Sequence, residues 1–360
     1  MKNLKTEKKG FLSNIFSIKF LVLCFVAFYV NKSVTLFGYR HNPDTLKIKH
    51  FDDHNCKKLL FDVGAEDIAT SSDGLAFITS GLRYPPFVNS EGGGKIYSMD
   101  LTKKSPELTE LSLSGPHLNP HGLDILEIKG QIFLYIVNHG ENMSRETVEK
   151  YRLAENKREL IWMKTFADDK VFRNINDLNV IGEDEFYISN NFHSKQTTPW
   201  LRKLEVTSHM LLGSIAYCNG SNCELKTYPT LAFPNGVQKR GNELFVALSL
   251  ANYMSVYQID PINKDLTFKR NVALEVVHDN IWMNKAGDMF IGGGTNMGDH
   301  LFNGKPIGSE IYKIPAGSYE AEQIYFDNGD EFRQCSIAVE WEQHILMGSP
   351  GADFMICTRK

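Results

Sequence analysis

Short apolar stretches separated by turn residues recur along most of the chain. They carry aromatic and β-branched residues and are bounded by Gly, Asp or Asn, as at residues 74–80, 94–100, 132–137, 185–189, 243–248, 255–260 and 288–292. Because no 3.6-residue period runs through them, they predict short β-strands rather than helices. Several follow one order: a turn, an aromatic-bearing strand, and a second strand that ends in a polar residue. That order is typical of the four-stranded blades of a β-propeller.

The length of the strand-rich region predicts the number of blades. It begins near residue 55 and comprises about 300 residues, and a blade of this kind takes roughly 50. No Pro/Ser-rich linker divides the region, which favours one closed unit over a β-sandwich or two smaller all-β domains. The sequence therefore predicts an all-β fold, a six-bladed β-propeller over residues 56–360.

One segment of this region has a helical pattern instead. Within residues 197–214, one tryptophan and four leucines lie roughly at helical spacing. They predict an amphipathic helix over one face of the propeller, acting as a lid, lying against a bilayer, or simply packed.

The first 30 residues differ from the rest of the chain. Lysines at positions 2, 5, 8, 9 and 19 precede an uncharged apolar run over residues 20–30, and scattered apolar residues extend it back to residue 11. A basic start followed by an apolar run is typical of a signal sequence or signal anchor. No pair of small residues follows at the spacing that signal peptidase needs, so we expect an uncleaved anchor rather than a buried helix.

The predicted organisation has four parts. A short lysine-rich cytosolic tail covers residues 1–19, an anchor covers 20–30 or 11–30, a linker covers 31–55, and the propeller covers 56–360. Basic residues on the cytosolic side place the propeller in the lumen or outside the cell. This describes a single-pass type II membrane protein of the secretory pathway, in the endoplasmic reticulum or at the cell surface. A secreted protein that keeps its signal sequence is the alternative.

Cysteines and glycosylation sequons agree with an oxidising compartment. Cys56 and Cys357 lie at the two ends of the predicted propeller, where a bridge would close the ring. Cys218 and Cys223 flank a turn-forming tetrapeptide that could bring their sulfurs together, whereas the state of Cys335 is left open. Asn-x-Ser sequons begin at Asn31, which lies close to the membrane, and at the two predicted glycosylation sites, Asn142 and Asn219.

Composition narrows the class of partner. The chain has 42% hydrophobic and 23% charged residues, which is an ordinary globular balance. Its formal net charge of −4, and the lack of a Lys/Arg stripe interleaved with aromatic residues, argue against nucleic acid as a partner.

Phrases with oxygen-bearing side chains recur at nearly even spacing. They lie at residues 64–67, 119–122, 174–177, 233–236 and 279–280. A radial repeat would send one residue of each phrase towards a common centre. Carboxylate and amide oxygens without thiolates suit a hard cation such as Ca²⁺, although single Asp and Asn residues are more often turn residues.

Two of these phrases contain adjacent pairs that could serve two cations. Neighbouring residues on an extended strand point in opposite directions, so Glu66-Asp67 and Asn176-Asp177 could each contribute to two centres. We therefore predict two Ca²⁺ ions in the channel. One would be held by Glu66, Asn176, Asn235, Asp279 and Asn280. The other would be held by Asp67, Asp177 and backbone oxygen.

Two histidines flank a predicted hairpin. His121 and His139 each lie nine residues from Gly130, and a turn there would set them opposite each other across two antiparallel strands. Paired imidazoles can divide the work of a general base, one taking a proton from water and the other orienting it. A structural role is the alternative for either ring.

Together these phrases resemble the paraoxonase/arylesterase family in order and spacing. The similar phrases lie at residues 64–68, 80–85, 119–122, 137–139, 175–177, 235–236 and 279–281, and the similarity extends from about Cys56 to Cys357. The resemblance implies a six-bladed propeller in which the first set of ligands holds a catalytic Ca²⁺ and the second a structural one. It adds the carbonyl of Leu123 to the structural site and pairs Cys56 with Cys357. It also implies that His121 and His139 form the catalytic dyad.

The chain departs from the family in the wall of the pocket. Gly292-Gly293-Gly294 stands where the family commonly has a Cys-His pair after a Val-Gly strand end, and Asn190-Asn191-Phe192 stands where it often has Asn-Asp-His. Two functions follow from the resemblance. The first is a calcium-dependent hydrolase that acts on a small lactone or aryl ester. The alternative is a non-enzymatic, membrane-anchored factor of the endoplasmic reticulum that assists ion channels, with a membrane protein as client.

Overall fold

Six sheets of mostly antiparallel strands form the body of the protein. A computed structural model describes residues 47–60, 64–83, 93–195, 198–207, 211–220, 222–274, 276–295, 306–351 and 353–360, with 19–20, 23–24 and 26–27 near the amino terminus. Each sheet has four strands, apart from one with five. The fold is a six-bladed β-propeller, which confirms the prediction from strand spacing.

In each of the first three blades, four successive strands follow one another outwards from the channel, and in blade 2 a short extra strand precedes these four and lies outermost. The first strand, β1 (His54–Leu60), belongs to the last blade. Blade 1 contains β2 (Ala65–Thr70), β3 (Leu75–Ser80), β4 (Lys95–Asp100) and β5 (Leu108–Glu110). Blade 2 contains β6 (Ser112–Leu113), β7 (Pro120–Ile128), β8 (Gln131–Asn138), β9 (Thr147–Leu153) and β10 (Glu159–Phe166). Blade 3 contains β11 (Ile175–Gly182), β12 (Glu185–Asn190), β13 (Ser214–Asn219) and β14 (Asn222–Leu225).

The remaining blades repeat this order, and two short helices lie in the loops that the structure describes. Blade 4 contains β15 (Pro234–Arg240), β16 (Glu243–Leu248), β17 (Tyr253–Ile259) and β18 (Leu266–Ala273). Blade 5 contains β19 (Val277–Met283), β20 (Met289–Thr295), β21 (Gly308–Ile314) and β22 (Glu322–Asp327). Blade 6 contains β23 (Ile337–Trp341), β24 (His344–Gly348), β25 (Asp353–Arg359) and, outermost, β1. A 3-10 helix (Glu141–Met143) precedes β9, and an α-helix, α1 (Pro199–Thr207), precedes β13.

The two ends of the propeller meet in blade 6. Strand β1 pairs with β25 in antiparallel register, and Cys56 lies opposite Cys357. These cysteines form a disulfide that spans 301 residues, as the resemblance implied. The innermost strands contact one another in the order β2, β7, β11, β15, β19 and β23, and β23 returns to β2. The ring is therefore closed both by strand pairing and by a covalent bond.

Packing between blades explains why the strands are so apolar. All six residues of β3 are buried, as are five of the six residues of β16. These strands have a neighbouring blade on each face, so they show continuous apolar runs rather than alternation. Between blades 2 and 3, for example, the rings of Phe166 and Phe186 meet edge to face with centroids 5.3 Å apart. Each fully buried aromatic ring of this kind contributes roughly 1.5–3 kcal/mol to stability.

A second disulfide and a short helix lie in segments where the sequence predicted them. Cys218 and Cys223 lie opposite each other on β13 and β14 and form a disulfide, while Cys335 is buried and forms no disulfide. A helix is present over Pro199–Thr207, and residues 211–214 are not helical, so the helix is shorter than the predicted range of 197–214. Asn219 is exposed at the end of β13, and glycosylation there and at Asn142 stays a prediction.

The predicted tail, anchor and linker lie mostly outside the described residues. Those described between positions 19 and 27 are helical. Over the part of the chain that the structure covers, no helix is both long and apolar enough to cross a bilayer.

Candidate functional site

Five of the six innermost strands carry a two-residue β-bulge at the same level of the channel. In each, two residues oppose a single residue of the next strand, and regular pairing continues on both sides. The bulged pairs are Glu66-Asp67, His121-Gly122, Asn176-Asp177, Asn235-Gly236 and Asp279-Asn280. They are the predicted oxygen-bearing phrases and one of the two histidines. The alternation predicted for Glu66-Asp67 and Asn176-Asp177 requires a regular extended strand, whereas a bulge inserts one extra residue and redirects the chain locally.

Glycine makes room for the acidic pairs. A Cβ on Gly122 would lie 2.5 Å from Asp177 Oδ1, and one on Gly236 would lie 2.6 Å from the carbonyl oxygen of Asp279. Any other residue would therefore push the neighbouring strand away. Pairs with two oxygen-bearing side chains alternate with pairs that end in glycine from β2 to β19. The glycines in the phrases at 119–122 and 233–236 are thus required by close approach.

Two carboxylates bridge the inner strands through backbone amides. Asp67 accepts hydrogen bonds from the amides of Leu123, at 2.7 Å, and Ile68, at 2.8 Å. Asp177 accepts one from the amide of Val237 at 2.8 Å. The two predicted ligands of the second ion are therefore held in equivalent positions. Leu123, whose carbonyl is the third predicted ligand of that ion, lies opposite Ile136 in the pairing of β7 with β8.

Two hydroxyls that the sequence analysis missed hold these acidic pairs in place. The amide of Asp67 donates to Thr79 Oγ1 at 3.0 Å, and the amide of Asp177 donates to Ser189 Oγ at 3.1 Å. Each hydroxyl residue is the single residue that opposes the bulge. Its only sequence signal is a hydroxyl next to the end of the second strand of its blade.

Side-chain amides turn their nitrogens towards the protein. Asn280 Nδ2 donates to the carbonyl oxygen of Glu66, at 3.2 Å, and to its Oε1, at 3.1 Å. Asn235 Nδ2 donates to Ser249 Oγ, at 3.2 Å, and to a carboxylate oxygen of Asp279. The amide oxygens are consequently left for another partner.

Four buried oxygens at this level have no hydrogen-bond donor among the described residues. They are Glu66 Oε2, Asn176 Oδ1, Asn235 Oδ1 and Asn280 Oδ1. Leaving a buried acceptor unsatisfied costs about 1–3 kcal/mol. All four belong to the set predicted for the first cation. A hard cation can be bound by oxygen ligands alone, and it would give these four oxygens the partner that they lack.

The charge of the site also fits cations. Burial, and then repulsion from Asp279, raises the pKa of Glu66 well above its usual value. Burial raises the pKa of Asp67 and of Asp279 to about 7. Across the described residues, no lysine or arginine forms an ion pair with these groups or with Asp177. Two divalent cations carry a charge of +4, which balances the four carboxylates at −4, so the residues present fit two such ions.

The two histidines are in direct contact. His121 Nδ1 lies 2.8 Å from His139 Nε2, as the hairpin argument predicted. His121 Nε2 lies 3.6 Å from Glu66 Oε1, at the edge of the proposed cation site. Burial, and then the neighbouring His139, lowers the pKa of His121 well below its usual value. A neutral imidazole therefore stands beside the acidic pair.

A carboxylate that the sequence analysis missed contacts the second of these histidines. Glu146 Oε2 lies 3.0 Å from His139 Nδ1. Glu146 follows the histidine by seven residues, on the loop between β8 and β9. No motif marks it, because only the return of that loop brings the carboxylate back to the ring.

The two departures from the family differ in their surroundings. Residues 292–294 lie in a confined space, and Phe192 lies against another aromatic ring. A Cβ on Gly292 would lie 2.5 Å from the backbone of Ser336, so only glycine fits there. Phe192 packs edge to face on Phe233 with ring centroids 5.0 Å apart. The guanidinium of Arg202, on α1, lies 5.4 Å from the Phe192 ring centroid. Helix α1 therefore contacts this aromatic pair through Arg202.

Comparison with known sequences identifies the family of this chain. The family model described as Arylesterase matches residues 47–357. The chain belongs to the arylesterase family. It is 28% identical over 305 residues to serum paraoxonase/arylesterase 1 of Rattus norvegicus, covering 80% of this chain and 84% of the relative. It is 29% identical over 301 residues to serum paraoxonase/lactonase 3 of Homo sapiens, covering 79% and 83%.

Solved structures agree on the fold of this arylesterase-family chain. A gluconolactonase, XC5397 of Xanthomonas campestris, superposes with a TM-score of 0.55 at 12% identity, covering 87% of this chain and 94% of that one. A luciferin-regenerating enzyme superposes with a TM-score of 0.51 at 11% identity, covering 85% and 95%. At such identities the likeness concerns the propeller alone.

Proposed function

We propose that this protein is a calcium-dependent hydrolase of lactones and aryl esters. The observation that carries the proposal is the set of four buried, unsatisfied oxygens beside a contacting pair of histidines. Membership of a family whose relatives are named arylesterases and lactonases supports the same class of substrate. Both groups lie at one level of the channel, so a cation and a base would face the same substrate.

The proposed ligands divide into two sets. Glu66, Asn176, Asn235, Asp279 and Asn280 would hold a catalytic Ca²⁺, and Asp67, Asp177 and the Leu123 carbonyl would hold a structural one. When bound, the catalytic ion would polarise the carbonyl group of the substrate. Amide oxygens and carboxylates in irregular geometry are the donors that Ca²⁺ accepts in proteins.

The histidine pair would perform the proton transfers. His121 Nε2 takes a proton from water, and the water oxygen forms a bond to the carbonyl carbon. The carbon–oxygen bond to the leaving alcohol then breaks, and the alcohol oxygen receives the proton from His121. His139 stabilises the imidazolium that exists between these two steps, because its Nε2 lies within hydrogen-bond distance of His121 Nδ1.

The test is an assay of the full chain on one lactone and one aryl ester. We expect activity with Ca²⁺ and none after chelation. The variant His121→Gln should lower kcat by about 10²–10⁴-fold, because it removes the base. His117→Gln, an exposed histidine of the same blade, is the matched control. Wild-type activity in chelator, or in His121→Gln, would contradict the proposal.

The alternative function has one feature in its favour. The glycines at 292–294 and Phe192 replace the Cys-His and His that the family commonly has, which leaves fewer polar groups in the pocket wall. A folding or assembly factor would use the cations only to stabilise the ring. The variant His121→Gln separates the two functions, because a channel-assembly factor would keep its effect on the surface density of a dependent ion channel. Loss of that effect in His121→Gln would exclude the non-enzymatic alternative.

We also propose that the protein works in the secretory pathway with an uncleaved amino-terminal anchor. Its two disulfides support an oxidising compartment. Extraction of cell membranes with alkaline carbonate tests the anchor. Recovery of the full chain in the membrane pellet is expected, and its release into the supernatant would favour the secreted alternative.

A further inference from the structure

A carboxylate lies at the far end of the histidine pair. Glu146 Oε2 is 3.0 Å from His139 Nδ1, and His139 Nε2 is 2.8 Å from His121 Nδ1. The side chain of Glu146 is 10% exposed and that of His139 is fully buried. The three side chains therefore form one continuous series of short contacts. The other end of the series, His121 Nε2, lies beside Glu66.

The loop that carries Glu146 is tied to the site at three points. The amide of His139 donates to the carbonyl of Asn119, and the amide of Arg145 donates to the carbonyl of His139, both at 3.1 Å. Glu146 Oε2 also accepts a hydrogen bond from the amide of Ile175 at 3.1 Å. Ile175 directly precedes Asn176, a proposed cation ligand. The carboxylate is thus held between two blades, unlike an exposed acidic residue that meets a histidine by chance.

The carboxylate determines where the protons lie on both rings. A carboxylate only accepts hydrogen bonds, so His139 Nδ1 must carry a hydrogen. Neutral His139 then has its lone pair on Nε2, and the contact with His121 requires a hydrogen on His121 Nδ1. Neutral His121 consequently has its lone pair on Nε2. That is the nitrogen on the side of the proposed cation site.

We propose that Glu146 is a positioning residue that fixes the tautomers of His139 and His121 and so presents His121 Nε2 as the base. This inference rests on the proposed hydrolase function for its kinetic consequence. When His121 Nε2 takes a proton from water, the positive charge is shared along the contacts to His139. The negative charge of Glu146 then stabilises the protonated pair at its far end.

Substitutions of Glu146 separate orientation from charge. In Glu146→Gln the amide oxygen can still accept from His139 Nδ1 and Ile175, so the tautomer is kept and only the charge is lost. We expect kcat to fall by about tenfold. In Glu146→Ala both are lost, and we expect kcat to fall by about 10²-fold with KM within about twofold of the wild type. Glu141→Gln, an exposed glutamate of the same loop, is the matched control and should leave kcat unchanged.

The tautomer itself can be observed by NMR. The full chain has 11 histidines, and with ¹⁵N-labelled imidazoles the signals lost in His139→Gln identify those of His139. We expect His139 to carry its hydrogen on Nδ1 in the wild type and in Glu146→Gln. We expect a mixture of the two tautomers in Glu146→Ala.

The two measurements distinguish this inference from the proposed function. A wild type that hydrolyses neither substrate contradicts the hydrolase, and the NMR result then alone upholds or overturns the tautomer assignment. A hydrogen on Nε2 of His139 in the wild type overturns the inference whatever the activity. With an active wild type, so does a kcat in Glu146→Ala within about twofold of the wild-type value. Thermal unfolding of each variant shows whether it is folded. If Glu146→Ala does not fold, the kcat of Glu146→Gln and the tautomer of His139 in the wild type test the inference.

Discussion

The blades and the centre of this propeller are stabilised in opposite ways. The middle strands of the blades, such as β3 and β16, bury apolar side chains on both faces and need no ligand. The centre buries four carboxylates and leaves four oxygens without donors among the described residues. Burial of that kind opposes folding unless a partner compensates it.

The difference shows how the fold supports a site of this kind. Apolar packing and ring closure hold the inner strands in place, so that bulges can point acidic residues at one another. If the proposed cation sites are correct, the centre depends on bound cations for its stability, whereas the blades do not. Changes to the centre and changes to the blades should therefore have different effects on stability and on cation binding.

Removing Ca²⁺ should have the largest effect, and it acts on the centre. At about 1,000 times its Kd, each ion stabilises the folded state by about 4 kcal/mol. For two sites we expect chelation to lower the Tm by about 10 °C or more and to abolish hydrolysis. Differential scanning calorimetry with and without chelator measures this, and chelator with excess Ca²⁺ is the control. An unchanged Tm would mean that the centre is stable by itself.

Opening the ring should be the next largest effect, and it acts on the blades. The variant Cys56→Ser/Cys357→Ser removes a bond that spans 301 residues, and we expect a loss of about 5–6 kcal/mol. Activity per folded molecule should stay near the wild-type value, because β1 lies outermost. The comparison variant Cys218→Ser/Cys223→Ser removes a bond across five residues and should cost about 2 kcal/mol. Chemical denaturation distinguishes them, and equal losses would contradict the loop-length argument.

Filling the space at a bulge should have a smaller effect, which lowers both the stability of the fold and the affinity of the centre for Ca²⁺. In Gly122→Ala the added methyl group meets Asp177, so we expect a loss of about 1–3 kcal/mol and weaker Ca²⁺ binding. Gly351→Ala is the control, because its nearest neighbour is a side-chain hydroxyl at 3.3 Å. Calorimetric titration with Ca²⁺ measures the affinity. Wild-type affinity in Gly122→Ala would show that the close approach is dispensable.

The smallest expected effect is a dependence on pH whose sign changes with calcium. Without Ca²⁺, the pKa values near 7 of Asp67 and Asp279 mean that the folded state holds protons that the unfolded chain releases at lower pH. The free energy of unfolding should therefore fall as the pH rises from 6.5 to 7.5, by about 1 kcal/mol. With Ca²⁺ present the trend should disappear or reverse, because the ions bind the deprotonated carboxylates. The same downward trend in both buffers would rule out these groups as ligands.

The sequence allowed much of the fold and part of the site to be predicted. Apolar runs such as that of β16, bounded by turns at regular spacing, identified the blades because both faces of each middle strand are buried. The residues of the oxygen-bearing phrases lie together because all are on innermost strands. The contact between His121 and His139 followed from counting along one hairpin.

Features that depend on register or loop return could not be predicted in this way. A bulge is recognised only from the pairing of each residue with the partner strand. The sequence does not show that pairing, so regular alternation was expected at Glu66-Asp67. Thr79 and Ser189 act through their positions opposite the bulges rather than through a motif. Glu146 reaches His139 only because its loop folds back, and its contact with Ile175 joins two blades.

Because β1 pairs with β25, the propeller can close only after nearly the whole chain has been synthesised. Ribosomes add roughly 5–20 residues per second, so the 301 residues between Cys56 and Cys357 take about 15–60 s to synthesise. Until then β1 is a strand without its partner, and Cys56 is a thiol whose partner has not been made. Cys218, Cys223 and Cys335 all emerge before Cys357 does. For most of its synthesis, the nascent chain must therefore avoid non-native pairing of β1 with other strands and non-native disulfides at Cys56.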